Sequence, residues 1–167
     1  MKTIKINLYK FEELSKEAKQ IALEKFSDIN VNYDWWEFTY DDAENVGLKL
    51  KNFDLDRNKH ATGEFITNAK DCADKILKEH GESCDTHATA TNFLNTLKEI
   101  EVKYEGKEET SEEETEIEDL EYGFLKDILE DYATILQNEC EYLQTEKSII
   151  ETIEANDYDF TIDGKLY

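Results

Sequence analysis

Two aspartates, Asp54 and Asp56, are placed so that they could hold a metal ion. On a strand, residues two positions apart share one face, so both carboxylates point the same way. Carboxylate oxygens are the ligands that Mg²⁺ prefers, and Asp41 or Asp42 could complete the set. A solvated strand face shows the same pattern. A divalent-metal-dependent activity at Asp54 and Asp56 is therefore one of two interpretations that stay open.

Cys72, His80, Cys84 and His87 are residue types that bind zinc, and seven, three and two residues separate them. A helix end, a turn and the start of the next helix could bring them together. The close CxxC pairs of zinc modules are absent, and Cys72 also fits the buried stripe of its helix. A Cys–His nucleophile pair would need an orienting group and an oxyanion loop, and neither is recognisable. Zinc binding and ordinary core packing both remain open for this group.

Motifs of common enzyme chemistry are missing from the sequence. It has no GxSxG, no HExxH and no glycine-rich phosphate loop, and its six glycines offer little material for such a loop. We therefore expect a protein that is not an enzyme and that uses no cofactor.

The acidic residues are concentrated toward the end of the chain. The net charge is −22, from 41 acids and 19 bases, and −17 of it lies in residues 105–167. Residues 105–121 alone hold ten acids and one lysine. Such a chain has no basic footprint for nucleic acid, and an anionic membrane would repel it. We expect neither direct nucleic-acid binding nor membrane binding.

A long helix is predicted over 117–143, with an apolar stripe that includes Phe124, Ile128 and Tyr132. Asp127 and several other acids fall mostly off this stripe. Carboxylates at helical spacing can imitate a phosphate backbone toward a protein with a basic groove. The alternative is a solvated helix face beside a solubilising linker. The acids that we predict to contact a partner are Glu112, Glu113, Glu114, Glu130, Asp131 and Glu139.

Both tryptophans lie in the segment Tyr33–Asp42. Trp36 shares a predicted helix face with Tyr40, whereas Trp35 points about 100° away. One interpretation buries one indole and half-buries the other. The alternative makes Trp35 an exposed anchor for a protein partner, with the acids serving only solubility.

The elements that must position these residues are predicted from periodicity and caps. Alternation predicts strands over 4–9 and 48–66, the second a hairpin with a bulge near Lys51, and a closing hairpin at Asp163-Gly164. Helices are predicted to begin after Ser15, after Thr67 or Asn68, and after Thr145. The expected fold is α+β: a small antiparallel sheet covered on one face by about five or six helices. We expect one domain over 1–167, with 105–116 an acidic loop or disordered insert.

Two segments carry a family resemblance. Leu14-Ser-x-Glu-Ala-Lys-x-x-Ala22 and Tyr33-Asp-Trp-Trp-x-x-x-Tyr-Asp-Asp42 resemble small phage- and prophage-borne proteins, some labelled antitoxin-like components of toxin–antitoxin systems. The resemblance implies an accessory gene of a phage or its host. An antitoxin-like binding module is the alternative that it implies, and it supplies no catalytic residues.

The cell compartment is inferred from the cysteines and from the apolar runs. Three cysteines form no disulfide framework, and no signal peptide or membrane-length apolar run is recognisable. We expect a soluble protein of the bacterial host cytoplasm. The leading hypothesis is a phage-encoded inhibitor whose polyanionic surface binds a basic host defence protein, such as a CRISPR effector, a nuclease or a restriction enzyme.

Overall fold

The computed structural model describes residues 5–106 and 110–167. Within these residues the fold is α+β, with six α-helices and one two-stranded antiparallel sheet, as predicted. That the helices cover one face of the sheet stays a prediction. The elements are α1 Lys16–Lys25, α2 Glu37–Asn45, β1 Leu48–Asp54, β2 His60–Phe65, α3 Ala69–Glu79, α4 Asp85–Tyr104, α5 Ser111–Leu143 and α6 Glu146–Ala155.

The chain groups into two compact units. One is Trp36–Gln137, here called the central unit, and the other combines the residues before and after it, here called the terminal unit. The division falls inside α5. That residues 1–167 behave as one domain stays a prediction, and the units are described separately.

The hairpin of the central unit matches its prediction. β1 pairs with β2 in antiparallel register from Leu48 opposite Phe65 to Asp54 opposite His60, with an irregularity between Leu50 and Asn52. This is the predicted bulge, and it arises where the apolar alternation skips a residue. Gly47 lies between α2 and β1 at φ 90°. This left-handed conformation is common where a helix ends, and glycine adopts it without a steric penalty.

The core of the central unit lies among the hairpin and helices α2 to α5. Phe124 stacks between Phe65 and Phe93, with ring centroids 5.5 and 4.3 Å away. This aromatic stack is buried together with aliphatic side chains from each element. The buried aliphatic members include Val46, Leu48, Ile76, Leu97 and Ile128.

The terminal unit has its own apolar core, built around Phe160. Phe11 and Phe26 pack edge-on against the Phe160 ring at 6.2 and 6.0 Å. Tyr9 and Phe160 exchange two backbone hydrogen bonds of 2.9 Å. Gly164, at φ 80°, passes so close to α1 that a Cβ there would lie 2.1 Å from the Ala18 carbonyl oxygen. Only glycine fits this position.

Three predicted helix caps are confirmed. The side chains of Ser15, Asn68 and Thr145 accept hydrogen bonds from the backbone N–H three residues ahead, at the starts of α1, α3 and α6. Each cap satisfies an N–H group that the helix itself leaves without a partner. Local chemistry was sufficient to predict them.

The predicted strands at the two chain ends are wrong for the described residues. Lys5–Leu8 forms no strand, and Tyr9 pairs with Phe160 in one isolated bridge. The predicted closing turn at Asp163-Gly164 is present, because Phe160 pairs antiparallel with Leu166 across it, but a single bridge forms there instead of two strands. Ile6 is 53% exposed and Ile162 is 72% exposed, so only Phe160 of these alternating side chains is buried in the core. Ile4 lies outside the described residues.

The predicted acidic loop or insert over 105–116 is wrong from Ser111 onward, where α5 begins. Thr110 starts the helix: its side chain and its carbonyl accept hydrogen bonds from the Glu113 and Glu114 N–H groups. Acids in the first turn also interact favourably with the positive end of the helix dipole. The apolar periodicity is lost in the first turns of α5 because these residues are mostly exposed to solvent, although the chain is already helical. Residues 107–109 lie outside the described part.

No helix of the described chain combines the length and the apolar character that crossing a bilayer requires. The lysines, aspartates and glutamates spread along α4 and α5 account for this, because a spanning helix needs about 20 mostly apolar residues.

Candidate functional site: an acidic stripe on α5

One side of α5 in the central unit carries a row of acids, here called the acidic stripe. Its five members are Glu112, Glu116, Asp119, Asp127 and Glu130. At 3.6 residues per turn they fall within an arc of about 80° on the helix. The side chains that α5 buries, including Phe124, Ile128 and Tyr132, lie on its other side. The fold therefore fixes which acids face the solvent.

Four of the five stripe carboxylates form no salt bridge with a lysine or an arginine of the described residues. Glu116 forms a salt bridge with Lys103 and accepts a hydrogen bond from the Tyr104 hydroxyl at 3.2 Å. The hydrogen bond from Lys103 lowers the pKa of Glu116. Among the described residues, no lysine or arginine forms a salt bridge with Glu112, Asp119, Asp127 or Glu130. These four, all exposed, leave their charge available to a partner.

The charge density of α5 approaches that of a nucleic-acid strand. From Ser111 to Gln137 the helix carries ten acids and one lysine, or about one net negative charge per 4.5 Å of axis. One strand of B-DNA carries about one charge per 3.4 Å. The stripe itself runs about 27 Å from Glu112 to Glu130.

The six acids predicted to contact a partner are divided among several surfaces. Glu112 and Glu130 lie on the acidic stripe and are exposed. Glu113 and Asp131 are half-buried at its flank, and Glu114, although exposed, leaves the helix on a different side. Glu139 is half-buried in the terminal unit.

Besides Glu116, which forms a salt bridge with Lys103, sequence reasoning did not select two further stripe members, Asp119 and Asp127. Both are exposed, and helical spacing places them between Glu112 and Glu130. Counting helical turns from Glu112 would have found Asp119, had residues 111–116 been recognised as helix. The mistaken loop assignment removed that signal.

Asp131 lies at the flank of the stripe, where it is partly buried and close to other acids. Its Oδ2 accepts a hydrogen bond of 2.7 Å from the Thr89 hydroxyl of α4. Burial raises the pKa of Asp131, and the charges of Asp85, Asp127 and Glu130 raise it further, against the lowering effect of Thr89. The acids at the flank of the acidic stripe thus repel one another in the isolated chain.

A groove lies between α4 and α5 next to these acids. Its volume is about 300 Å³, and its floor is formed by Phe93, Leu120 and Phe124. Asp119 and Asp127 stand on its α5 side, with Gly123 between them. An apolar floor with carboxylates at the edge suits an organic cation.

The tryptophan pair does not provide an exposed anchor. Trp35 is 7% exposed, so its predicted role as an exposed contact is wrong. Trp36 packs edge-on against Phe53 at 5.5 Å, which fits the interpretation that buries one indole and half-buries the other. Within α2, the aromatic side chain that is exposed is Phe38, at 83% exposure.

The possible zinc ligands have other roles. Cys72 is fully buried in the core, and burial raises the pKa of its thiol to about 12. The His80 Nδ1 lies 2.7 Å from the Thr86 hydroxyl, and its Nε2 lies 3.4 Å from Oδ2 of Asp42. Cys84 is exposed. These contacts describe a packed histidine at the end of α3.

Asp54 and Asp56 lie at the turn that follows β1. The Asp54 carboxylate accepts a hydrogen bond of 2.8 Å from the Asp56 N–H at the end of β1. Such a bond stabilises the turn that leads to β2. Over residues 5–106 and 110–167, no group of three or more His, Cys, Asp or Glu side chains is arranged to hold a metal ion.

Comparison with known proteins adds no relative: no family model, no curated protein and no solved structure matches this chain. The resemblance to phage-borne proteins therefore stays a prediction.

Proposed function

We propose that the chain is a non-enzymatic inhibitor that binds the basic, nucleic-acid-binding surface of another protein and competes there with nucleic acid. The observation that carries this proposal is the acidic stripe, whose Glu112, Asp119, Asp127 and Glu130 are exposed and form no salt bridge with a lysine or arginine of the described residues. A partner's lysines and arginines would supply the missing positive charge.

Electrostatics gives such a surface speed and selectivity. A row of like charges on a rigid helix attracts a basic groove over a Debye length, which is about 8 Å at physiological salt. Steering of this kind raises association rates and weakens steeply as salt is added. Binding that depends on the stripe should therefore be fast and salt-sensitive.

The family resemblance suggests the class of partner. For an accessory gene of a phage, a basic protein that handles nucleic acid in host defence is the fitting target, such as a CRISPR effector, a nuclease or a restriction enzyme. This part of the proposal goes beyond the geometry of α5. Identification of the captured protein tests it separately.

The experiment is a capture from bacterial lysate with the tagged full chain, at low and at high salt, followed by mass spectrometry. We expect nucleic-acid-binding proteins to be retained at low salt and released both by high salt and by added double-stranded DNA. The stripe variant, defined as Glu112→Gln, Asp119→Asn, Asp127→Asn and Glu130→Gln, should retain at most about a tenth as much, since several charge contacts are lost together.

A matched control removes four exposed acids from α3, α4 and their connection in the same unit. Its substitutions are Asp74→Asn, Glu79→Gln, Glu82→Gln and Glu99→Gln. The control should capture as the native chain does. Equal capture by the stripe variant and the control would contradict the proposal, and a partner that withstands high salt would indicate an apolar contact surface instead.

A further inference from the structure

The α4–α5 groove is small. Its volume of about 300 Å³ is at the lower end of the range for ligand pockets. The floor residues Phe93 and Phe124 stack on each other at 4.3 Å, and each is only 3% exposed. The two rings therefore support the groove from below, and the half-buried Leu120 is the apolar lining side chain that a ligand can contact.

Gly123 keeps the groove open. It lies inside α5, where glycine is unfavourable relative to alanine, and a Cβ at this position would meet no atom within 4 Å. Neither a positive φ nor a close contact requires glycine here. A longer side chain at 123 would occupy the space above the floor.

The mouth of the groove is negatively charged. Asp119 and Asp127 each lie one helical turn from Gly123, so they flank it about 12 Å apart along the axis. The Asp127 end is the more acidic, because Asp127 lies near Asp131, whose pKa is also raised by the charges of Asp85 and Glu130. Among the described residues, no cluster arranged to hold a metal ion is found here or elsewhere. An organic cation with an apolar stem complements both the floor and the mouth.

We propose that this groove receives an arginine side chain of the partner's basic surface, with the stem on Leu120 above the buried Phe93–Phe124 pair and the guanidinium beside Asp127. This inference rests on the proposed function, because it assumes a basic protein partner on the acidic stripe. It adds a specific pocket to an otherwise diffuse electrostatic contact.

Arginine fits this site better than lysine. A guanidinium is more weakly hydrated than an ammonium and presents a planar fork of donors to carboxylates. A lysine ammonium would give up more hydration to reach the same position. The groove should therefore distinguish two ligands of equal charge.

The test is calorimetric titration of the full chain at low salt with acetylated, amidated hexa-arginine and hexa-lysine peptides. The native chain should bind the arginine peptide about fivefold more tightly. Gly123→Leu, whose side chain fills the groove, should remove this preference. Gly123→Ala adds one methyl group and should keep it, and circular dichroism melting establishes that both variants fold.

A second variant separates the groove from the overall charge. Glu112→Gln with Glu130→Gln should weaken both peptides by a similar factor and leave their ratio unchanged. Equal affinities for the two peptides in the native chain, or an arginine preference that survives in Gly123→Leu, would overturn the groove and leave the polyanionic surface standing. Failure of both peptides to bind at low salt would overturn the proposed function itself.

Discussion

Tyr132 connects the buried side of α5 to a carboxylate that is half open to solvent. Its hydroxyl donates a hydrogen bond of 2.8 Å to Oδ2 of Asp42, the same oxygen that lies 3.4 Å from the His80 Nε2. Burial and the Asp42 charge both raise the pKa of Tyr132, so it stays protonated as the donor. The side chain of His80 is only 9% exposed. Asp42 thus accepts a hydrogen bond from Tyr132 and lies close to His80, whose Nε2 is buried and has no hydrogen-bond partner among the described residues.

We expect Tyr132→Phe to lower the free energy of unfolding by about 1 kcal/mol, because it removes one hydrogen bond to a charged, partly solvated acceptor. Urea unfolding followed by circular dichroism measures the change. Tyr122→Phe, at a 74% exposed position of the same helix, is the control and should be neutral. A loss of equal size in both variants would contradict the role of the Asp42 contact.

Asp131 is expected to destabilise the fold when it is ionised. An acid whose pKa is raised by folding holds its proton more tightly in the folded state. Its cost is therefore absent below its unfolded-state pKa and fully present above its raised folded-state pKa. Asp131→Asn keeps an acceptor for Thr89 and should be more stable than the native chain at neutral pH.

The pH dependence distinguishes this effect from a general loss of charge. The advantage of Asp131→Asn should shrink as the pH falls through the folded-state pKa, when followed by urea unfolding over a pH series. Glu118→Gln removes an exposed acid from the same helix and serves as the comparison. If Asp131→Asn stabilises no more than Glu118→Gln at neutral pH, the burial argument fails.

At the scale of elements, Asn30 joins the segment after α1 to the end of α5 and to α6. It is 4% exposed, and its amide nitrogen donates to the Leu143 carbonyl and to the Ser148 hydroxyl, each at 3.0 Å. Its amide oxygen accepts a bond of 2.7 Å from the Thr152 hydroxyl. One buried side chain thus holds three segments of the terminal unit.

Asn30→Ala should lower the free energy of unfolding by about 2–4 kcal/mol, because it leaves several buried polar groups without partners. Chemical denaturation gives the value, and Asn32→Ala, at an exposed position of the same segment, should change it little. A loss below about 0.5 kcal/mol for Asn30→Ala would mean that water replaces the network readily.

At the scale of the whole molecule, the net charge of −22 opposes compaction. Repulsion among surface acids destabilises the folded state, and salt screens it. We therefore expect the melting temperature to rise as sodium chloride is added to a low-salt buffer, in thermal melts followed by circular dichroism. The same salt should weaken partner binding.

The stripe variant tests the cause of this salt effect. It reduces the net charge by four, to −18, so its melting temperature should start higher and rise less with salt. A melting temperature that falls with added salt in the native chain would show that attractive ion pairs, such as Lys103 with Glu116, outweigh the repulsion.

Features that depend on near neighbours in the chain could be predicted from the sequence. The Leu48–Phe65 hairpin with its bulge, the caps at Ser15, Asn68 and Thr145, and the turn at Gly47 all follow from local backbone and side-chain chemistry. The uneven distribution of acids is likewise a property of the sequence.

Only the tertiary structure decided which of those residues face the solvent and which are buried. Trp35 and Trp36 are adjacent and chemically alike, and packing rather than type buries Trp35. The strands predicted at the chain ends do not form. A pair of strands is marginally stable unless it packs an apolar face, and Ile6 and Ile162 are exposed. The rotation of α5 against α4 exposes Asp119 and Asp127 and leaves Glu113 and Asp131 half-buried. The same rotation creates the groove at Gly123. That rotation is set by the long-range stacking of Phe65, Phe124 and Phe93, residues far apart in sequence that no local pattern brings together.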